Sequence, residues 1–224
     1  MIIDKKGCYL ETKADNSLFC LYKLCQIRYN KTIYERRWDE MDVSEKMKYK
    51  MSDKGIRLLT VGRLTYQKGY DVAVYALKEL VNHGFDVNWY ILGDGPEYQT
   101  LAALAVKEGV DSRFHLLGAV DNPYPYYKAA DIYVHATRFE GKSIAIQEAQ
   151  VLGCAIIASD CSGNREQIND GVDGILCGFT PAGIADGIEK LITNPALATK
   201  FRMASAEKQI NHLEELQNIY GMMR

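Results

Sequence analysis

The sequence predicts a doubly wound, Rossmann-like α/β fold built on a parallel sheet of about six strands. From Ile56 onward, short apolar runs alternate with stretches of helical periodicity. The runs are short and predominantly apolar, as strands are when helices cover both faces of a sheet. Glycine and proline fall at the ends of the helical stretches, where they stop and start helices.

Taken in order, residues 1–55 read as an extension of helix and loop. They hold 12 Lys+Arg against 9 Asp+Glu, and the remainder holds 15 against 20. Leu18, Leu21, Tyr22 and Cys25 share one helical face beside Lys23 and Arg28, a stripe that either packs onto its own domain or rests on anionic lipid. The strands are expected at Ile56–Val61, Val87–Leu92, Arg113–Leu116, Ile132–His135, Ala155–Ala158 and Gly174–Cys177. Between them, Ala73, Ala76, Leu77, Leu80 and Val81 form one helical face closed by Gly84, and Pro96 opens a helix that stops at Gly109. Ser143 is placed to cap a helix ended by Gly153, and Thr180-Pro181 begins one carrying Ile184, Ile188, Leu191 and Ile192. A last helix starts at Pro195 and continues through Leu197, Phe201, Leu213 and Leu216 to about Tyr220. The expected division is an extension over 1–55, one Rossmann-like domain over 56–205 and a helical tail over 206–224.

At 224 residues the chain has room for one good core, and a second full domain is not expected. A formal net charge of −2 provides no global basic field for nucleic acid. The six cysteines contain no C-x-x-C and the four histidines no H-E-x-x-H, so no structural metal site is read. Cys154 and Cys177 lie beside apolar runs and are expected to be small buried hydrophobes. Met1 to Gly7 lacks the basic start and apolar stretch of a secretory signal, and no apolar run reaches membrane-spanning length. The expected location is the cytoplasm, with membrane contact at most peripheral.

In an open parallel sheet, ligands gather at the carboxyl ends of the strands. The loop after the first strand, Gly62 to Gly69, sets Arg63 and Lys68 where a helix begins, so that two cations and a helix dipole converge on one diphosphate. The second loop, Gly93-Asp94-Gly95-Pro96, has ordinary turn and helix-start chemistry and receives no catalytic role. Neither loop is the G-x-G-x-x-G of dinucleotide binding. The third loop runs from Thr137 to Ala149. Here Glu140 stands just before a helix and Glu148 lies about two turns into it, so one carboxylate can meet a sugar ring while the other accepts ribose hydroxyls. The backbone N–H groups of Gly141, Lys142, Ser143 and Ile144 are expected to face phosphates between them.

These residues, in this order, resemble the C-terminal domain of glycosyltransferase family 4, a large class of retaining enzymes with the GT-B fold. The resemblance covers residues 56–193 and continues to about 205. It is carried by Val61-Gly62-Arg63-Leu64 with Lys68-Gly69, Leu92-Gly93-Asp94-Gly95-Pro96, and Gly118 before Tyr127, Ala130 and Asp131. The E-x7-E pair of Glu140 and Glu148 follows, then Gly153. The resemblance implies that Arg63 and Lys68 bind the donor diphosphate, that Glu140 contacts the transferred sugar and that Glu148 holds the ribose. Arg63, Lys68 and Glu140 are thus the catalytic candidates, and Gly62, Gly141, Lys142, Ser143, Ile144 and Glu148 the substrate-binding ones. The implied donor is a UDP-, GDP- or ADP-linked sugar, used as substrate without cofactor or metal, and the chain contains no D-x-D. The implied acceptor is a sugar or lipid-linked sugar, glycosylated with retention. Where the family has Phe-Gly after Glu-Gly this chain has Lys142-Ser143, and a lysine there can add a phosphate ligand.

A GT-B enzyme closes its active site between two Rossmann-like domains, and residues 1–55 are too few to build the second. The sequence therefore leaves open a truncated enzyme, a subunit completed by a second polypeptide, and a non-catalytic module that binds nucleotide sugar. A P-loop NTPase is the rival from another class, because Ala136 to Ser143 ends in Gly-Lys-Ser between a strand and a helix. Ala136 replaces that motif's first glycine, and Glu140 sets a carboxylate against the phosphates. A purely structural domain is the remaining alternative.

Overall fold

The structure is a computed structural model that describes residues 2–3, 9–10, 51–52, 54–205 and 207. Its centre is a six-stranded sheet of β1 (Ile56–Val61), β2 (Val87–Leu92), β3 (Phe114–Gly118), β4 (Ile132–His135), β5 (Ala155–Ser159) and β6 (Ile175–Cys177). All adjacent pairs are parallel, and the spatial order is β3-β2-β1-β4-β5-β6. The order reverses between β1 and β4, which makes that boundary the topological switch point.

Three strands differ from the sequence reading in their limits, because cross-strand pairing decides where a strand ends. β3 starts at Phe114, paired with Trp89, and reaches Gly118 through a register shift opposite Ile91 and Leu92. β5 extends to Ser159 because that residue pairs with Cys177, and β6 starts at Ile175. The extension is not wholly helix and loop: Ile2–Ile3 and Tyr9–Leu10 pair as antiparallel strands, a unit too short to show alternation in sequence. The expected stripe at Leu18, Leu21, Tyr22 and Cys25 lies outside the described residues, as does most of the expected tail over 206–224.

Successive strand residues point to opposite faces, and two cores result. On one face Leu58, Trp89, Ile91, Val134 and Ile157 pack against Ala73, Ala76, Leu77 and Leu80 of α1 (Tyr70–Asn82), with α2 (Tyr98–Glu108) and α6 (Pro181–Ile192) alongside. On the other, Leu59, Tyr90, Tyr133 and Ile156 meet Tyr127 of α3 (Tyr124–Ala129) and Ile146 and Ala149 of α4 (Ile144–Val151). A four-residue helix, α5 (Ser162–Arg165), follows β5, and helix resumes from residue 195.

The expected punctuation is largely in place. The Ser143 hydroxyl accepts from Ile146 N at the start of α4, Thr180 caps α6 through Gly183 N, and Gly109 ends α2 in a left-handed conformation. The helix expected from Pro96 begins at Tyr98, after a turn in which Tyr98 N donates to Gly95 O. Helix α3 had no clear sequence signal: six residues between Pro123 and Ala130 are too few to establish a 3.6-residue period. Cys154 and Cys177 are buried, as expected, and burial pushes the Cys177 thiol up to about 12.

Candidate functional site

The switch point brings the loop after β1 against the loop after β4, although 72 positions separate the residues that meet. Arg138 N donates to Gln67 O at 2.9 Å, the Thr137 hydroxyl donates to the same carbonyl at 2.9 Å, and Gln67 Nε2 returns a bond to Phe139 O at 3.0 Å. Arg138 stacks on the Tyr66 ring at 3.8 Å and forms a two-bond pair with Asp71 at 2.9 and 2.6 Å. These bonds hold the two loops together independently of Lys68 and Glu140.

Lys68 ends a single 3-10 turn, Tyr66–Lys68, rather than opening α1. Gly69 follows with φ 63°, and a Cβ there would lie 2.5 Å from Ala136 O and 2.7 Å from Phe179 Cε2. Only glycine combines that backbone conformation with so close an approach. The turn directs Lys68 past Gly62 to Glu140, where Nζ donates to Oε2 in an ion pair. Arg63 is exposed on the same loop and does not join this pair. The second loop supports the first, since Leu64 N donates to Asp94 O at 3.0 Å and Glu97 N to Leu64 O at 3.2 Å.

Glu140 has a second partner that the sequence reading missed. His135 closes β4 at 2% exposure, and its Nε2 lies 3.1 Å from Glu140 Oε2. Burial raises the Glu140 carboxyl, but hydrogen bonds from His135 and Lys68 outweigh it and bring the group down to about 2. The available signal was a histidine closing the run Ile132-Tyr133-Val134, where a strand feeds its loop.

Glu148 is held differently. It lies in the second turn of α4, and the Tyr127 hydroxyl reaches its Oε2 at 3.1 Å and Ala145 O at 3.2 Å. Tyr127 comes from α3, so the support for Glu148 depends on the short helix that periodicity did not show.

The proposed phosphate-facing N–H set requires one correction. Ser143 N donates to Gln167 Oε1 at 2.6 Å, and Gln167 Nε2 donates to Ser143 O at 2.9 Å. The Ser143 hydroxyl accepts from Ile146 N at the helix cap and the residue is 5% exposed, so Ser143 does not offer its N–H to a ligand. A buried hydroxyl in that position also does not serve as the magnesium ligand of a P-loop. Gly141 and Lys142 are exposed and Ile144 half-buried at the open end of α4, where the first-turn N–H groups lack intrahelical partners. Gly163 sets the loop's height: a Cβ there would come within 2.1 Å of Gly141 O and 2.3 Å of Glu140 O.

A cation, two carboxylates and a helix N-terminus at the switch point of a 3-2-1-4-5-6 sheet suit an anionic, hydroxyl-bearing ligand. Residues 43–208 match the glycosyl transferases group 1 family. The chain belongs to that family. Among group 1 and related enzymes, it is 29% identical over 153 residues to the α-D-kanosaminyltransferase of Streptomyces kanamyceticus, covering 67% of this chain and 39% of that protein. It is 30% identical over 155 residues to the Campylobacter jejuni enzyme named N-acetylgalactosamine-N,N'-diacetylbacillosaminyl-diphospho-undecaprenol 4-α-N-acetylgalactosaminyltransferase, covering 69% of this chain and 40% of the relative. The chain thus spans about 40% of the length of these curated relatives.

Solved glycosyltransferase structures agree with the architecture. The C-terminal domain of a glycosyl transferase group 1 protein from Francisella tularensis superposes with a TM-score of 0.65 at 23% identity, covering 73% of this chain and 88% of that one. A glycosyltransferase from Rickettsia africae gives 0.70 at 21%, covering 80% and 52% respectively. The Rossmann-like half-domain is therefore the GT-B C-terminal half. Among the described residues no helix is long and apolar enough to cross a membrane.

Proposed function

We propose that this chain is the donor-binding half of a retaining glycosyltransferase of the family 4 type, taking a UDP-, GDP- or ADP-linked sugar as donor without a metal or other cofactor. The carrying observation is the Lys68–Glu140 pair at the switch point, with Glu148 held two turns along the adjoining helix. Lys68, Arg63 and the N-terminus of α4, with Lys142 beside it, neutralise charge on the departing nucleoside diphosphate. Such preorganised donors are worth on the order of 3 kcal/mol each. Glu140 meets the hexosyl group and Glu148 accepts the ribose hydroxyls. The acceptor hydroxyl attacks the anomeric carbon from the leaving-group face, which gives retention.

A relative whose name includes a sugar-bearing diphospho-undecaprenol acceptor supports a sugar or lipid-linked acceptor for this chain. A Rossmann-like neighbour solved with UDP, from Anabaena at a TM-score of 0.70 and 18% identity, has the same fold. We place the protein in the cytoplasm, with membrane contact at most peripheral, and without a nucleic-acid partner. Because the chain spans about 40% of its relatives, the acceptor surface is assigned to a second domain or polypeptide. The alternative is a module that binds nucleotide sugar without transferring it.

Calorimetric titration with UDP-, GDP- and ADP-glucose in the presence of chelator tests the reading. The parent is expected to bind at least one of them with the metal removed. Arg63→Ala weakens binding of the nucleoside diphosphate itself, and Glu148→Ala weakens ribose-dependent binding, each by roughly tenfold. Identical affinities in the parent and both variants would remove the assignment.

A further inference from the structure

His135 is buried, polar and outside every role assigned so far, yet it touches a residue at the centre of the site. Its Nε2 lies 3.1 Å from Glu140 Oε2 and its Nδ1 lies 3.1 Å from the Tyr133 hydroxyl. With a neutral imidazole these bonds have one consistent proton arrangement. An ionised carboxylate accepts only, so Nε2 carries the hydrogen; a neutral imidazole then accepts at Nδ1, and Tyr133 donates. Burial, aided by the nearby Lys68 charge, holds the imidazole below its ordinary value against the pull of Glu140, so the ring is neutral near neutral pH. The Tyr133 phenol is likewise held protonated by burial.

Tyr133 is in turn packed against Tyr127, with ring centroids 5.3 Å apart, and Tyr127 is the residue that holds Glu148. A buried row of Tyr127, Tyr133 and His135 therefore underlies both glutamates. The titratable groups facing Glu140 are Lys68 from the loop after β1 and His135 from β4, and those facing His135 are Tyr133, Glu140 and Lys68.

We propose that His135 is a positioning residue for Glu140: its Nε2–H keeps the carboxylate ionised and in place when the donor diphosphate takes over Lys68. This rests on the donor-site reading above. In the unliganded protein Glu140 has two partners, and a bound diphosphate competes for one of them. Without His135, drawing Lys68 away would leave a carboxylate at 12% side-chain exposure without either of these donors. It would then take up a proton or resist the transfer of Lys68.

The test uses the full chain and three variants, His135→Leu, His135→Gln and Tyr133→Phe, each checked for folding by circular dichroism. The Gln amide reaches the position of Nε2 and supplies an N–H, whereas Leu fills the space without one. UDP-, GDP- and ADP-glucose are titrated calorimetrically at about pH 5.5 and 7.5 in buffers of different ionisation heat, because their diphosphate diesters do not themselves titrate there. The parent and His135→Gln are expected to bind without proton uptake. His135→Leu is expected to bind roughly tenfold more weakly at the higher pH, to recover at the lower one and to take up a proton on binding; Tyr133→Phe falls between. A His135→Leu variant with the parent's affinity and no proton uptake overturns the proposal, as does a His135→Gln variant as impaired as Leu.

Carbon-13 titration of the Glu140 carboxyl in the unliganded protein separates the two readings. If no sugar nucleotide binds the parent, the donor-site reading fails, while an upward move of the Glu140 titration in His135→Leu, reversed in His135→Gln, still supports the brace. An unmoved titration overturns it, and the Gln and Phe variants decide the matter if the Leu variant does not fold.

Discussion

Glu140 and Glu148 share a residue type and a short stretch of chain, but the protein holds them by different means. Glu140 sits in a loop between a cation from one side of the switch point and an imidazole from the strand beneath, and two charge-assisted bonds keep it ionised. Glu148 rides on α4, where a neutral phenol from α3 reaches it. The difference teaches that the first position is organised around charge, so losing a partner changes its protonation. At the second, losing the phenol changes orientation.

The comparison breaks most severely at Gly163. Gly163→Ala forces a Cβ against the carbonyls of Glu140 and Gly141 at 2.3 and 2.1 Å, where the obstructing atoms are backbone. A loss of about 3 kcal/mol is expected, with the Glu140 loop displaced. Urea denaturation gives the stability, and an unchanged midpoint would show that the loop sits higher than described.

A smaller effect sharpens the contrast through pH. In the folded protein Glu140 titrates near 2 rather than at its ordinary 4.5, so its stabilising contribution is complete above the ordinary value and is lost as pH falls through the folded one. After allowance for solvent screening, this contribution is on the order of 2 kcal/mol. Lys68→Met removes one of the two bonds that lower the group, so this part of the loss moves to higher pH. Denaturation midpoints measured from about pH 2 to pH 6 on both proteins should diverge in that direction; coincident curves would mean that Lys68 does not control Glu140.

The smallest change belongs to Glu148. Tyr127→Phe removes the hydroxyl near Glu148 and Ala145 O while retaining the ring packed on Tyr133. It should cost about 1 kcal/mol and leave the Glu140 titration where it was. Movement of Glu140 in this variant would show that the two carboxylates are linked through the tyrosine row rather than independent.

Much of the fold was legible in sequence because its central strands are short and predominantly apolar. Ile56–Val61, Val87–Leu92 and Ile132–His135 match their expected limits. Ser143 and Thr180 cap the helices they were expected to cap, since an N-cap is read from the residue and the few positions after it. The candidate carboxylates and cations were also legible, as polar residues in loops at strand ends. The partners were less so. Gln167, which takes the Ser143 N–H, lies 24 positions away, and nothing local in either residue indicates the other.

The sequence by itself determined the alternation of strands and helices and the loops that carry Arg63, Lys68, Glu140 and Glu148. Periodicity, capping and turn chemistry act over a few residues and are written in them. Tertiary structure decided that Lys68 meets Glu140, that His135 lies beneath them and that the Ser143 N–H is taken by Gln167. These contacts arise because the sheet reverses its strand order between β1 and β4, and the resulting proximity and loss of water set each group's charge and free bonds, which residue spacing does not encode.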